Sequence, residues 1–334
     1  MTHVRGVALL AAVTTLVFAA GCSSSGNSTA NTGPIEKPDL NVAVVPALDS
    51  AGFFVALYEH LFTQQGLNVT FTPAISSDTV IAAQVKGTYD ITGGNYVSYI
   101  QAQQQGKANL DIFAEASTME PATQGIYVMP DSPIKTLADL KGKTVAINAP
   151  DNILYLLAAS VLAEHGIQPG SVHFVTKYNF PAMPAALAAG KIDAAMLPEP
   201  FASDAEQADG AVPLADMDQG ATTSFPIAGY VVTKAWAQKY PHTLAAFYRA
   251  LEEGQEIADT NRAAVEQAFE DLPMKPVPLG VSKSTAAVVA LDNYPYSTGP
   301  VGTVDTVQLQ RVADVMQQFL MIPKFNIDSM LLNP

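Results

Sequence analysis

The chain is short of cysteine and of basic side chains. It has one cysteine in 334 residues, and 17 Lys and Arg stand against 31 Asp and Glu. The formal net charge of −14 argues against a phosphate-backbone partner, because nucleic-acid binding needs clustered Lys and Arg. A small anion stays possible, since helix amides hold one without any basic side chain. No apolar run beyond the first twenty residues is long enough to span a membrane. The five histidines (His3, His60, His165, His173, His242) show no paired metal-ligand spacing. Gly142-Lys-Thr144 lacks the upstream glycine of a phosphate loop, Leu137 standing there, and a strand pattern rather than a helix follows. Neither a dinucleotide fingerprint nor a nucleophile elbow occurs. The motifs of reaction chemistry are missing, so the expectation is a binder, with no cofactor and no metal.

What is present begins at the N-terminus. Arg5 precedes an apolar run over residues 6–20 that ends in Ala19-Ala-Gly-Cys22. The pattern predicts a signal peptide over 1–21. A lone cysteine behind a small-residue cleavage site resembles the lipobox of bacterial lipoproteins, with Ala19 where leucine is usual, and predicts lipidation at Cys22. No thiol is then left for catalysis or zinc. Residues 22–38, rich in Ser, Asn, Thr and Gly, read as a lipidated flexible tether.

The rest of the chain is built around an internal repeat. In Ala186-Leu-Ala-Ala-Gly-Lys-Ile-Asp-Ala-Ala-Met-Leu-Pro-Glu-Pro-Phe201 an Ala-rich helix ends at Gly190. A short apolar strand follows over 192–197, stopped by Pro198 and Pro200. Gln84-Val-Lys-Gly-Thr-Tyr-Asp-Ile-Thr-Gly-Gly-Asn95 is a similar block, with Gly87 ending a helix and Asp90 opening a strand. Upstream of each lie a strand, a polar loop and a helix: 40–45 with Asp49-Ser-Ala-Gly-Phe, and 144–147 with Ala149-Pro-Asp-Asn152. Asp49 to Asp90 is 41 residues and Asp151 to Asp193 is 42. A twofold repeat of α/β units is the plan of two lobes with a cleft between them. The expected division is 39–123 with 226–334 as lobe 1, and 124–225 as lobe 2. Helices are expected over 52–65, 79–86, 151–165, 181–189, 201–208, 235–238, 243–259, 262–269, 283–293 and 306–319.

Candidate ligand contacts are the polar loop residues at the ends of strands and starts of helices, where open α/β sheets bind ligands. They are Asp49, Ser50, Ser76, Ser77, Asp78, Asn95, Ser117, Thr118, Asp151 and Asn152, with Glu199 at the end of the 192–197 strand. Phe53, Tyr96, Tyr155, Phe180 and Phe201 are candidate apolar walls. Each Ser, Thr, Asp or Asn has an alternative use as the cap of its own helix, and each aromatic as core.

Several stretches together carry a family resemblance: Asp49-Ser-Ala-Gly-Phe-Phe-Val-Ala56, Gly87-Thr-Tyr-Asp-Ile91, Leu137-Ala-Asp-Leu-Lys-Gly-Lys-Thr-Val-Ala-Ile147, residues 186–201 and the ending 310–331. In order and spacing the chain resembles the substrate-binding lipoproteins of ABC importers in the sulfonate, nitrate, taurine and thiamine-pyrimidine-precursor superfamily. The resemblance implies a two-lobed type II periplasmic-binding-protein fold with the ligand in the cleft. It implies no catalysis, and a monomer that docks on an ABC permease and its ATPase. It places the protein lipid-anchored on the outer face of a bacterial cell membrane. The arginines beyond the signal (Arg249, Arg262, Arg311) all fall on C-terminal helices, so phosphorylated and dicarboxylate ligands, which Arg forks usually meet, are disfavoured. A sulfonate stays open, as does an amine-bearing heteroaromatic accepted by a carboxylate such as Glu199; taurine would satisfy both. Two other readings share the fold. One is a receptor that presents a ligand to a membrane sensor without transport. The other is a pyrimidine-precursor synthase, whose cysteine-rich motif this chain lacks.

Overall fold

The computed structural model describes Met1 and residues 33–271, 304–320 and 322–332. The signal peptide after Met1, Cys22, the tether up to residue 32 and the helix expected over 283–293 lie outside the described residues. The chain lays down β1 (Asp39–Val44), β2 (Asn68–Pro73), β3 (Ile91–Asn95) and β4 (Leu110–Thr118), then crosses over. It continues with β5 (Gln124–Val128), β6 (Thr144–Ala146), β7 (His173–Val175), β8 (Ala194–Pro198) and β9 (Val212–Asp216). β10 (Pro226–Thr233) then returns to the first group. The two five-stranded sheets have orders β2-β1-β3-β10-β4 and β7-β6-β8-β5-β9. In each, one strand arrives from the other half of the chain and runs antiparallel between neighbours: β10 against β3 and β4, and β5 against β8 and β9. The remaining pairs, β1 with β2 and β3 and β6 with β7 and β8, are parallel.

The helices follow the repeat. α1 (Ala51–Tyr58) and α2 (Leu61–Gln64) lead from β1 to β2, α3 (Ser77–Val85) leads to β3, and α4 (Tyr96–Gln104) to β4. Their counterparts are α5 (Ile153–Glu164), α6 (Met183–Ala188) and α7 (Phe201–Asp209). α8 (Lys234–Lys239), α9 (Pro241–Thr260), α10 (Arg262–Asp271) and α11 (Thr306–Phe319) follow β10. The expected glycine stops are present, with φ of +80° at Gly87 and +63° at Gly190. The two repeat aspartates share one task. Asp90 Oδ2 accepts the backbone N–H of Asn41 at 2.9 Å, and Asp193 Oδ2 accepts that of Thr144 at 2.8 Å, so each carboxylate ties a strand start to its neighbour.

The helix expected over 52–65 is in fact two. His60 takes a left-handed conformation (φ 59°) between α1 and α2, which turns Leu61 and Phe62 inward. Phe62 stacks on Phe247 of α9, with centroids 4.6 Å apart. The same cluster takes in Phe53, Phe54, Phe71 and Tyr230. α1 and α9 touch through glycine: a Cβ on Gly254 would stand 2.4 Å from the carbonyl oxygen of Gly52.

Two crossovers join the lobes, residues 119–123 and 217–225, and they are laced together. Met119 N–H donates to Phe225 O (2.8 Å), Met217 N–H to Gln124 O (3.0 Å) and Ala122 N–H to Asp216 Oδ2 (2.8 Å). α11 packs on both α4 and α5 and so touches both lobes. Its Arg311 donates to the carbonyls of Thr223 (2.8 Å) and Ser224 (2.7 Å) and lies over the Phe225 ring. Among the described residues no helix is long and apolar enough to cross a membrane.

Candidate functional site

The cleft lies where the two sheets present the carboxyl ends of their parallel strands, the place open α/β sheets reserve for ligands. Val45, Asn95, Asn148 and Pro198, at or just past the ends of β1, β3, β6 and β8, all face it. Its polar lining is Asp49, Ser77, Asn95, Gln124 and Asn148, and its apolar lining includes Ile153, Leu154, Phe180 and Ile227. The lobes stand closed on about 20 Å³, room for about one water. A small organic molecule enters only if they part. A wider hollow of about 590 Å³ beside α11, along Arg311 and Asp328, receives no strand end.

Ser77 opens α3 and is fully buried. Its Oγ accepts from both the backbone N–H and the Nδ2 of Asn95, each at 2.9 Å. With both acceptor positions taken, the hydroxyl proton is left to donate elsewhere. Asn95 is held in turn: its Oδ1 accepts Ser98 N–H at 2.9 Å and caps α4. Gly94 permits this approach, since a Cβ there would sit 2.2 Å from Ser77 Oγ. On the facing lobe Asn152 caps α5 through Leu154 N–H (3.1 Å) and donates to Asn148 Oδ1 (2.7 Å), which orients Asn148 at the cleft wall.

Asp49 stands half-buried in the short turn before α1. Loss of hydration pushes its carboxyl up to about 7, with the Ser50 hydrogen bond pulling the other way. Below the cleft floor, burial holds the phenols of Tyr96, Tyr99 and Tyr230 above their ordinary range. They stay neutral.

The structure therefore brings Asp49, Ser77 and Asn95 together in one lobe, and in the facing lobe it sets Asn152 behind Asn148. Other expected contacts lie elsewhere. Phe53 is wholly inside the lobe-1 core, packed on Phe54, Phe62 and Phe71. Tyr96 is also core, its hydroxyl against Gly229. Ser50 occupies the capping position of α1 without capping it; its hydroxyl donates to Asp49 Oδ1 at 3.3 Å. Ser76 is buried and receives Thr79 Oγ1 on its carbonyl (2.7 Å), while Asp78 and Asp151 are exposed. Ser117 and Thr118 end β4, paired with β10. Of the expected apolar walls, Phe180 lines the cleft, with Phe201 stacked behind it at 5.4 Å. Tyr155 packs on Phe174. Glu199 is buried just past the end of β8. Its carboxylate accepts the Ser203 backbone N–H (3.2 Å) and hydroxyl (3.0 Å) at the start of α7. Gln124 and Asn148 escape a search for helix starts, because one begins a strand and the other follows one; a polar residue at the head of the apolar run Gly125-Ile-Tyr-Val128 was the available signal.

Residues 47–263 match the family described as NMT1/THI5 like. The chain belongs to that family. No curated protein matches it. Among solved structures, this NMT1/THI5-like chain is similar to the periplasmic aliphatic sulphonate binding protein SsuA from Escherichia coli, at 20% identity and a TM-score of 0.71 over 90% of this chain and 93% of that one. The alkanesulfonate-binding protein SsuA from Xanthomonas axonopodis pv. citri, bound to MOPS, gives 19% and 0.75, over 90% and 100%. The periplasmic nitrate-binding protein NrtA from Synechocystis PCC 6803 gives 15% and 0.72, over 89% and 85%. At these identities the likeness establishes the fold: a two-lobed periplasmic-binding-protein architecture. The neighbours named are binding proteins rather than enzymes.

Among the described residues no group of three or more His, Cys, Asp or Glu is placed to hold a metal.

Proposed function

We propose that this NMT1/THI5-like protein is the lipid-anchored, extracytoplasmic solute-binding component of an ABC importer. It captures a small organic nutrient as a monomer and presents it to a permease and its ATPase, without chemistry of its own. The lobes divide as 39–123 with 226–334 and as 124–225, and they move about the two crossovers. The ligand bears N–H groups, as an aminopyrimidine does. One observation carries that choice: among the described residues the charged side chain lining the cleft is Asp49, and no Lys, Arg or His joins it there. An anion would oppose ionisation of Asp49 in a water-poor space and gain no cation in return, whereas an amine or amidine-like N–H edge would be held by its carboxylate. Phe180 supplies a flat apolar wall. The Ser77 hydroxyl and the Asn95 amide favour a second reading within the same class of protein. They would donate to a sulfonate while Asp49 holds an amine, which is the chemistry of taurine.

The test is a thermal-shift screen of the chain from Ser23 onward with aminopyrimidines, taurine, alkyl sulfonates, nitrate and amino acids. A ligand at about 100 times its dissociation constant adds roughly 2.7 kcal/mol, a rise of about 5 °C or more for a chain of this size. Stabilisation by simple alkyl sulfonates or nitrate, with none from aminopyrimidines or taurine, would overturn the ligand class. Lipid anchoring rests on Cys22: Cys22→Ala leaves binding intact and frees the protein from membranes on fractionation, and continued membrane retention would remove the anchor.

A further inference from the structure

Gln124 is the first residue of β5, directly after the 119–123 crossover. It lines the cleft, is 2% exposed, and its Oε1 has no hydrogen-bond partner among the described residues. The other polar side chains of the lining are each engaged: Ser77 with Asn95, Asn148 with Asn152, Asp49 with Ser50. A buried amide oxygen without a partner opposes folding. At the wall of a cleft, a bound molecule can complete it.

The main chain of Gln124 is tied to the second crossover. Its carbonyl accepts Met217 N–H at 3.0 Å, at the head of the second crossover, and its strand position pairs with Pro198. The preceding carbonyl, Thr123 O, accepts Glu199 N–H at 3.1 Å. Gln124 is thus bonded covalently to one crossover and by hydrogen bond to the other, while its side chain reaches the cleft.

Resting on the solute-binding reading, we propose that Gln124 is the specificity-determining contact of this cleft. Its Oε1 accepts an N–H of the ligand, and the bond ties occupancy of the cleft to both crossovers. A solute without a donor at that position leaves the buried oxygen orphaned and is rejected, as sites built to hydrogen-bond a substrate reject analogues lacking the group.

The experiment compares wild type with Gln124→Met, which keeps the length and removes the amide, and Gln124→Glu, which keeps an acceptor oxygen. Dissociation constants for 4-aminopyrimidine, cytosine, taurine and ethanesulfonate are measured by calorimetry, with Tm of the ligand-free proteins and hydrogen exchange over residues 119–123 and 217–225. Gln124→Met is expected to bind the donor-bearing probe at least about tenfold more weakly. Its ligand-free Tm should be equal or higher, because the orphaned oxygen is gone. Ligand-induced protection of both crossovers should disappear with it. Gln124→Glu should restore most of the affinity. A merely structural amide would lower Tm and affinity together in the Met variant, and that result, or unchanged affinity, overturns the inference. A wild-type protein that binds none of the probes here or in the wider screen removes the solute-binding reading itself, and this inference with it.

Discussion

The backbone N–H of Leu48 donates to the backbone carbonyl of Glu199 at 3.0 Å, joining the turn before α1 in one lobe to the end of β8 in the other. A second bond spans the lobes at Gln101 Nε2 and Asp151 O, 2.6 Å. Both end on main-chain oxygens. Closure therefore depends on where the 199 and 151 loops sit, and the Glu199 carboxylate helps to place its loop through Ser203.

Replacing Glu199 with Gln separates that placing role from ligand contact. The carboxylate accepts the Ser203 N–H on Oε2 and the hydroxyl on Oε1, and Gln replaces one of those two acceptor oxygens with a donor. The expected loss is about 1 kcal/mol, a Tm lower by a few degrees, with ligand affinity changed by less than about threefold. A large drop in affinity at unchanged Tm would return Glu199 to the list of ligand contacts. Thermal melts and titrations on the same preparation decide it.

Asp49 sets a pH dependence with a definite sign. Its carboxyl is pushed up to about 7 in the folded chain, against about 3.9 in an unfolded one. The folded state binds the proton more tightly, so this contribution is complete below about pH 4 and is lost as pH rises to about 7. Asp49→Asn should flatten that part of the Tm profile. A ligand held by the ionised carboxylate shows the opposite trend, binding more tightly as pH rises through the same window. Glu36 works in a separate window. Desolvation alone would raise it, but the bonds it accepts from His242 N–H, the Thr243 hydroxyl and Thr243 N–H together bring it down to about 2. That contribution is present above about 4.5 and is lost as pH falls towards 2. A wild-type profile identical to that of Asp49→Asn between pH 4 and 7 would refute the Asp49 assignment.

Gly94→Ala should damage the cleft more than its size suggests. The added methyl would stand 2.2 Å from Ser77 Oγ and 2.9 Å from Ser77 Cβ, in a position where Ser77 is already bound to Asn95. Overpacking of this kind costs about 1–3 kcal/mol, and Ser77 must rotate away from Asn95 or the strand must shift. Lower Tm and weakened ligand binding together are expected. A melt within 1 °C of wild type, checked by calorimetry, would show that the lobe yields there.

Arg311→Ala should loosen the second crossover. The guanidinium holds the carbonyls of Thr223 and Ser224 and covers Phe225, next to Ser224, whose φ is +46°. Losing two charge-assisted bonds on an exposed segment costs about 1–3 kcal/mol. Amides of residues 217–225 should exchange faster, and small-angle scattering of the ligand-free protein should show a larger radius of gyration as the lobes part. Unchanged exchange over that segment would mean that the main-chain lacing suffices without Arg311.

By itself the sequence determined the repeat and most of its elements. Gly87 and Gly190 mark helix ends because only glycine takes the left-handed conformation at little cost. Asp90 and Asp193 stand at matching places because each sheet needs one strand start tied to the next. The return to the first lobe at 226, the helix over 306–319, and Asn95 and Asn152 as caps were legible, since these signals are local. Which side chains share the cleft was decided by tertiary structure. Phe53 and Tyr96 sit on helices whose inward face is the core of one lobe, and the Glu199 carboxylate bonds Ser203, four residues on. Gln124 reaches the cleft because a strand begun in one half of the chain is inserted in the sheet of the other. Local propensity sets an element and its ends, but facing and partnership depend on how sheets meet, and that is fixed only when residues far apart in sequence are packed against one another.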